Sequence, residues 1–430
     1  MMSRMKWISF GLAIASSIVF VGCGTKSDGA AAPAADAGDA GGGDGGSGCV
    51  DTGQRPKARS EMMGVADAKR GRIVFFGGDT GVPKQCQPAP SPNGELWTYD
   101  LACNSFTKVD SADGPGGRTR GVGIHDPDGD RMIVFGGRFR AAPTGTYTVY
   151  NEVWALDLAA LTWQKLATTG TSPSARSSTA AAFNPSTKEL VVFGGNTSTN
   201  GPSFSPLADV WALNLSTNAW RSVTTTGTAP AARLFHTAAI DGANNKLYVF
   251  GGGDANAFTG PFLGDTWSLD LASGAWTKED AGSASSPGAR INATSTFDAA
   301  QNRFLVFGGH DDGAVGNNND TWSFDPGTKK WTAIVPPETV KTMPPSFCLF
   351  PPDFTTPNLG APDRRSSQLA VQDSTRSSWT IFGGATDCGL IDDVWSFDLK
   401  KSAWARVSKA HIGEACVRGD NPMQCSTLCL

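Results

Sequence analysis

Residues 172–195 read SPSARSSTAAAFNPSTKELVVFGG. Pro173 stands three residues before Arg176, and the pair Gly194-Gly195 begins eighteen residues after it. The stretch from Arg176 to Phe183 carries mostly small side chains and reads as a strand. Asn184-Pro185-Ser186-Thr187 is turn chemistry, since Asn bonds its own following backbone and tolerates unusual dihedrals. Leu190 to Phe193 is a short apolar, β-branched run of the kind that fills a buried strand. Glycine then ends it, because a residue without Cβ allows positive φ and close backbone approach. Further on, Val210 to Leu215 alternates as a third strand. Trp220 to Val223 begins a fourth after the turn Ser216-Thr217-Asn218.

The same register recurs along the chain. Arginines 59, 118, 176, 233, 290 and 365 each have a proline three residues earlier and a glycine pair eighteen residues later. Eight residues after each arginine stands Asp or Asn: Asp67, Asp126, Asn184, Asp241, Asp298 and Asp373. After a gap of varying length comes an acidic residue with Trp two positions on, at Glu95, Glu152, Asp209, Asp265, Asp320 and Asp393. Nine residues after that Trp is another aromatic: Phe106, Trp163, Trp220, Trp276, Trp331 or Trp404. One such unit has four short strands and one face to bury, so it cannot stand alone, whereas units side by side share their cores.

This pattern of apolar run, double glycine and spaced aromatics resembles the kelch repeat of about 50 residues. The resemblance spans residues 56–408. It implies an all-β fold, a six-bladed β-propeller with four antiparallel strands per blade. The interval between the last two arginines is 75 residues, against 57 to 59 for the others, because residues 336–363 are inserted there.

An arginine in every unit has two readings. Six guanidiniums could ring one face and bind an anion through their bidentate forks. Alternatively each pairs with the acidic residue of its own unit, so that buried charges cancel. The matched register of Arg59, Arg118, Arg176, Arg233, Arg290 and Arg365 with the six acids favours the scaffold. Function is then sought where units differ. The gap from glycine pair to Trp is longest in the first three units. It carries Arg138, Phe139, Arg140, Tyr147 and Tyr150 in the second and Phe204 in the third, as candidate ligand-contacting anchors.

Other chemical-looking features have plainer readings. Asp126-Pro127-Asp128-Gly129-Asp130 resembles a calcium loop but sits where every unit has its hairpin turn. His310-Asp311-Asp312 with Asn317 to Asp320 reads as a solvated loop, and His236 as a packing residue. His125 and His411 have no evident partner. Galactose oxidase and a sialic-acid mutarotase are enzymes on kelch-type propellers. The four Tyr and four His of this chain are too scattered to assemble the copper site of the former. No catalytic residue, cofactor or metal site is assigned, and an enzyme at the central opening stays open as an alternative.

The remaining sequence speaks of export. Residues 1–22 are a basic start followed by a short apolar run, a signal-peptide pattern. The ending FVGC at 20–23 resembles a bacterial lipobox, making Cys23 the lipid attachment site, with a plain signal peptide as the alternative. Gly24 after the cysteine implies an outer-membrane address by the same resemblance. Residues 23–48 are mostly Ala, Gly and Asp with almost no large apolar side chain, a flexible tether. The propeller occupies 49–408 and a Cys-rich tail 409–430. A net charge of −4 with no basic stripe excludes a nucleic-acid partner. Besides Cys23 there are eight cysteines, an even number in an exported chain. The expected pairs are Cys86–Cys103, Cys348–Cys388, and Cys49 with one of Cys416, Cys425 and Cys429, the other two tail cysteines joining; zinc in the tail is the alternative. The functional expectation is a lipid-anchored, non-catalytic module that binds an envelope protein or glycan, set against a carbohydrate-active enzyme or a structural envelope protein.

Overall fold

A computed structural model describes residues 49, 52–81, 90–142, 144–201, 203–257, 259–311, 316–342, 354–356, 358–387 and 389–411. The chain divides into residues 1–48 and 49–430, and the described residues all belong to the second unit. They contain no α-helix, only strands and one turn of 3-10 helix at Ala68–Arg70. The opening stretch forms what its sequence predicts. Ala180–Asn184 and Glu189–Asn196 pair as a hairpin, Pro206–Asn214 joins the second strand, and Ala219–Ser222 closes the outer edge. Glu189–Asn196 is buried along its whole length, as a strand covered on both faces must be.

Six antiparallel sheets with this four-strand order follow along the described chain. In the second, Thr148–Val149 adds a short fifth strand against Arg138–Phe139. Their first strands lie side by side, Met63–Asp67 next to Thr119–Asp126, then Ala180–Asn184, Thr237–Asp241, Thr294–Asp298 and Leu369–Asp373. The last packs back against Met63–Asp67, so the circle is closed in the manner of a β-propeller.

Aromatic packing joins each sheet to the next. The Phe before each glycine pair meets the outer-strand aromatic of the following sheet. Phe76–Trp163, Phe135–Trp220, Phe193–Trp276, Phe250–Trp331 and Phe307–Trp404 have ring centroids 4.9 to 5.5 Å apart. Phe382 meets Phe106 at 5.3 Å, carrying the pattern from the last sheet to the first. Such pairs contribute about 0.5–1.5 kcal/mol each beyond the area they bury.

The six register arginines are at most 3% exposed. Each guanidinium donates to the acid of its own unit at 2.5 to 3.2 Å. Each also donates to the carbonyl of the first glycine of its pair at 2.9 to 3.3 Å. The indole N–H of the neighbouring Trp donates to the same carboxylate at 2.7 to 3.2 Å. A cation buried this deeply is tolerated because its donors are met. The interval of eighteen residues is therefore the length of hairpin that returns a glycine carbonyl to the guanidinium. The glycines serve the next sheet as well. The N–H of Gly195 donates to the carbonyl of Arg233 at 2.9 Å. Gly194 has φ +62°, and a Cβ there would lie 2.7 Å from that carbonyl oxygen.

The chain before the first sheet is tied along its outermost strand, Ser105–Val109. Thr52 Oγ1 donates to the carbonyl of Phe106, and the N–H of Lys108 donates to Gln54 Oε1. Both contacts span 54 residues, and the same offset carries Cys49 to Cys103, which are disulfide-bonded. This overturns two expected pairs: Cys103 is not bonded to Cys86, and Cys49 is not bonded to the tail. The spacing of cysteines in sequence does not reveal that the leading segment runs in register beside the outer strand. Cys23, Cys86, Cys348, Cys388, Cys416, Cys425 and Cys429 lie outside the described residues. Sheets one and six are joined instead by Arg55, whose Nε donates to Asp392 at 2.9 Å and whose Nη2 donates to the carbonyl of Lys409 at 2.6 Å. Just after the insert, the buried guanidinium of Arg364 is flanked by Glu338 of the insert and Asp387 of the last unit.

Two expected outcomes follow from this scaffold. Gly194→Ala combines a left-handed backbone with a backbone clash, so urea unfolding should show a loss of about 3 kcal/mol or more. Gly145→Ala, at φ +98° with open space around it, should cost about 1 kcal/mol. The second outcome concerns acid. Burial opposes ionisation of Glu95, but bonds from Arg59, Lys108 and Trp97 outweigh it and hold the carboxyl at about 2, below its usual 4.5. The stabilisation from this depressed group is complete above pH 4.5 and lost as pH falls toward 2. Glu95→Gln should therefore lower the urea midpoint at neutral pH, and its difference from the parent should close through that window. A constant difference down to pH 2 would contradict the assignment.

Candidate functional site

Two residues beyond each register arginine the chain turns inward at the centre of the circle. These positions are Glu61, Arg120, Ser178, Phe235, Asn292 and Ser367, all with φ between +56° and +60°. Each donates its backbone N–H to the carbonyl of the preceding one, and Glu61 donates to Ser367. The result is a closed ring of six hydrogen bonds, 2.8 to 3.3 Å long. The scaffold fixes the backbone here and leaves the side chains free to differ. One position is acidic, one basic, one aromatic and three are small or amide polar.

The ring opens on the side where the glycine-pair loops leave the sheets, since Thr119 pairs with Arg138 across the first two strands of sheet two. A cavity of about 130 Å³ lies at the ring, lined by residues from all six units. Its asymmetry is electrostatic. Arg120 donates to Glu61 at 2.6 Å and its guanidinium stacks on Phe235 at 4.7 Å. Phe235 lies two units away from Arg120, so that side chain reaches over the opening. Arg138 and Arg140 both stack on the ring of Tyr147, at 3.9 and 4.3 Å. Burial, with the cations of Arg120 and Arg140 nearby, pushes the Arg138 guanidinium down to about 10 despite Glu61 and Tyr147. Asp79, just past the first glycine pair, is pushed up by burial and by Glu61. It accepts backbone N–H bonds from Gly81 and Ser91.

The loop anchors expected from sequence are thus brought together, but they largely pack the loops down. Arg138, Tyr147 and Phe204 are buried, while Phe139, Arg140 and Tyr150 are half-buried. Tyr150 lies under the guanidinium of Arg118 at 4.2 Å, and Phe204 packs edge-on to Phe235 at 5.6 Å. Tyr147 donates its backbone N–H to Thr199, joining the loops of units two and three.

The calcium-like stretch is a charge-paired hairpin turn. Asp126 holds the Gly129 N–H and Arg131, Asp128 pairs with Lys188, and Asp130 pairs with Lys69 and Arg70. Around His310 the polar groups serve one another. Asp311 accepts from Gly316 and Asn318, Asn317 donates to Asp387, and Asp320 pairs with Arg290; Asp312 lies outside the described residues. Among the described residues no group of three His, Cys, Asp or Glu side chains is arranged to hold a metal ion. His236 is buried in the cavity wall with Nε2 3.2 Å from the Phe193 carbonyl, and burial and Arg233 push it down to about 3. His125 is lowered by burial, and the His411 backbone N–H donates to Asp392.

Sequence reasoning missed the ring residues. Their signal was weak: the position two after the arginine changes chemistry from unit to unit, but so do the positions on either side of it. It went unseen because a left-handed φ at Glu, Arg, Ser, Phe and Asn has no signature in residue type.

Comparison with known proteins follows the same lines. Host cell factor 2 of Homo sapiens is 29% identical over 279 residues, 60% of this chain and 31% of that protein. Acyl-CoA-binding domain-containing protein 5 of Arabidopsis thaliana is 28% identical over 183 residues, 43% of this chain and 25% of that protein. The chain therefore matches about a third or less of the length of these relatives. The family model described as the KLHDC2/KLHL20/DRC7 Kelch-repeats domain matches residues 49–188 and 185–348. With the repeat, the closed ring of sheets and this match in agreement, the chain belongs to the Kelch-repeats domain family.

Proposed function

We propose that the chain is a non-catalytic protein-binding module of the cell envelope. In this reading the six sheets are the full set of blades of a six-bladed propeller. Lipid at Cys23 anchors it to the outer membrane, and residues 24–48 tether the propeller above the surface. The observation that carries the reading is a division of labour. The register arginines, acids and tryptophans are spent on the scaffold, whereas departures from the repeat gather on one face. Arg120 and Arg140, half-buried over the buried Tyr147 and Phe235, give that face arginine of the kind typical of interface hot spots. Kelch-repeat domains suggest the same role, and fold alone would not.

Crosslinking of the full chain in its native envelope tests the docking face. Arg140→Glu should abolish capture of the partner, while Asp128→Lys, at the hairpin turns of the opposite face, should leave it intact. Capture that survives Arg140→Glu, or is lost with Asp128→Lys, would overturn the assignment. For the anchor, Cys23→Ser should end incorporation of labelled palmitate and release the protein from the membrane fraction. Label retained in that variant would contradict the lipid attachment.

A further inference from the structure

Successive units are linked by the chain itself, but the seam between the first and last units has no such link. Sheet one is built from residues 63–109 and sheet six from residues 369–408, so among the described residues no strand is shared across the seam. Elsewhere the connector also covers the next outer strand. Thr169 and Thr226, each seven residues before a register arginine, pair in parallel with Ala219 and Ala275 beside the outer aromatics. Thr52 is seven residues before Arg59 and takes the same place on Ser105–Val109, through the carbonyl of Phe106. The leading segment is thus a connector that does not come from a neighbouring unit.

Three residues depart from the repeat at this seam. Four positions before the register arginine stand Gly114, Ser172, Ala229, Ser286 and Ala361, whereas the first unit has Arg55. At Gly114 the need for a small residue is visible, since a Cβ would lie 2.7 Å from the Trp163 ring. Sheet one has the smaller Phe106 as its outer aromatic, and the Arg55 guanidinium lies over it at 5.5 Å. The residue before the register acid is Gly94, Asn151, Ala208, Gly264 or Asn319 in the first five units and Asp392 in the last. Arg55 Nε donates to that carboxylate at 2.9 Å. Its Nη2 donates to the Asp392 carbonyl, Ser408 Oγ and the Lys409 carbonyl. The other oxygen of Asp392 accepts from the N–H of His411, so one guanidinium clamps the end of the last unit. The scaffold does not require Arg55, Phe106 or Asp392, and the three fit together only across the seam.

The strap that carries Arg55 lies on the surface, with Thr52, Gly53 and Gln54 exposed. Its covalent tie is Cys49–Cys103. Cys49 is exposed and Cys103 half-buried, so the bond is open to an external thiolate. We propose that Cys49 and residues 52–55 form a redox-released latch on the ring, in which the Cys49–Cys103 bond holds Arg55 across the seam. A dithiol opens it. One thiolate attacks the Cys49 sulfur, the S–S bond breaks, and Cys103 leaves as a thiolate that takes up a proton. The second thiol displaces Cys49 from the mixed disulfide, so the dithiol is oxidised to a disulfide and both cysteines end as thiols. The strap then leaves sheet one with Arg55, and the seam becomes the weakest junction of the circle. The latch stands apart from the docking reading and does not rest on it.

Amide hydrogen exchange of the full chain, with and without dithiothreitol, is the test. Reduction should accelerate exchange at the Glu61 amide, which crosses the seam, at least tenfold more than at the Ser178 and Asn292 amides, the size of one charge-assisted bond. The double variant Cys49→Ser, Cys103→Ser should show the fast Glu61 exchange without reductant and no further response to it. Arg55→Gln with the disulfide intact should expose Glu61 in the same way. The reductant comparison needs no substitution and decides the matter if a variant does not fold. Equal acceleration of all three amides would show a disulfide that only constrains the unfolded chain, and would overturn the latch. So would Glu61 protection in Arg55→Gln equal to the parent's, or a reductant response that persists in the double variant.

Discussion

Six backbone hydrogen bonds run head to tail around the centre of this protein, from Glu61 through Ser367, Asn292, Phe235, Ser178 and Arg120 and back to Glu61. Closing that circle demands a left-handed residue in every unit. For a residue with Cβ this conformation costs about 1–2 kcal/mol, close to what one hydrogen bond contributes. The ring is therefore nearly neutral by itself, and the surrounding packing has to hold it. Once held, it sets the distance at which six side chains meet.

What holds it is the buried arginine two residues earlier. Its guanidinium spans the acid of its own unit and the glycine carbonyl, while its own carbonyl accepts from the glycine pair of the preceding sheet. Removing one partner of such a buried pair characteristically costs about 3–5 kcal/mol, because the remaining charge has nowhere to go. The demand is the same in all six units, so the residues are the same. The Asp units use both carboxylate oxygens on the arginine, whereas Glu95 and Glu152 spend one on it and one on a lysine. Aromatic pairs such as Phe193–Trp276 then make each sheet the support of its neighbour.

The scaffold was legible in the sequence because it repeats. Arg176, Asp209 and Trp211 occur in a register that only a shared local geometry requires, and their hydrogen bonds show that geometry. The site was harder to read. Glu61 and Arg120 are far apart in sequence and touch only because the first strands form a circle. The anchors named from loop composition include Tyr147, Arg138 and Arg140, which pack against one another. Residue type could not tell that Tyr147 would be sandwiched between arginines rather than presented to solvent. The Cys49–Cys103 bond was missed because cysteine spacing carries no information on which outer strand the leading segment follows.

A uniform frame with a non-uniform centre is the physical basis for reading function here. Every unit contributes the same load to the fold, so a departure such as Arg120 in place of Ser178 is free to serve binding. All of this depends on the circle being closed at the seam between the first and last units. Hydrogen exchange at the Glu61 amide, which crosses that seam to the Ser367 carbonyl, measures it directly. The account predicts that this amide exchanges only through global unfolding, with the protection shown by the Ser178 and Asn292 amides. Exchange at Glu61 through a lower-energy local opening, while the other five stay protected, would show that the ring is not closed and contradict the account.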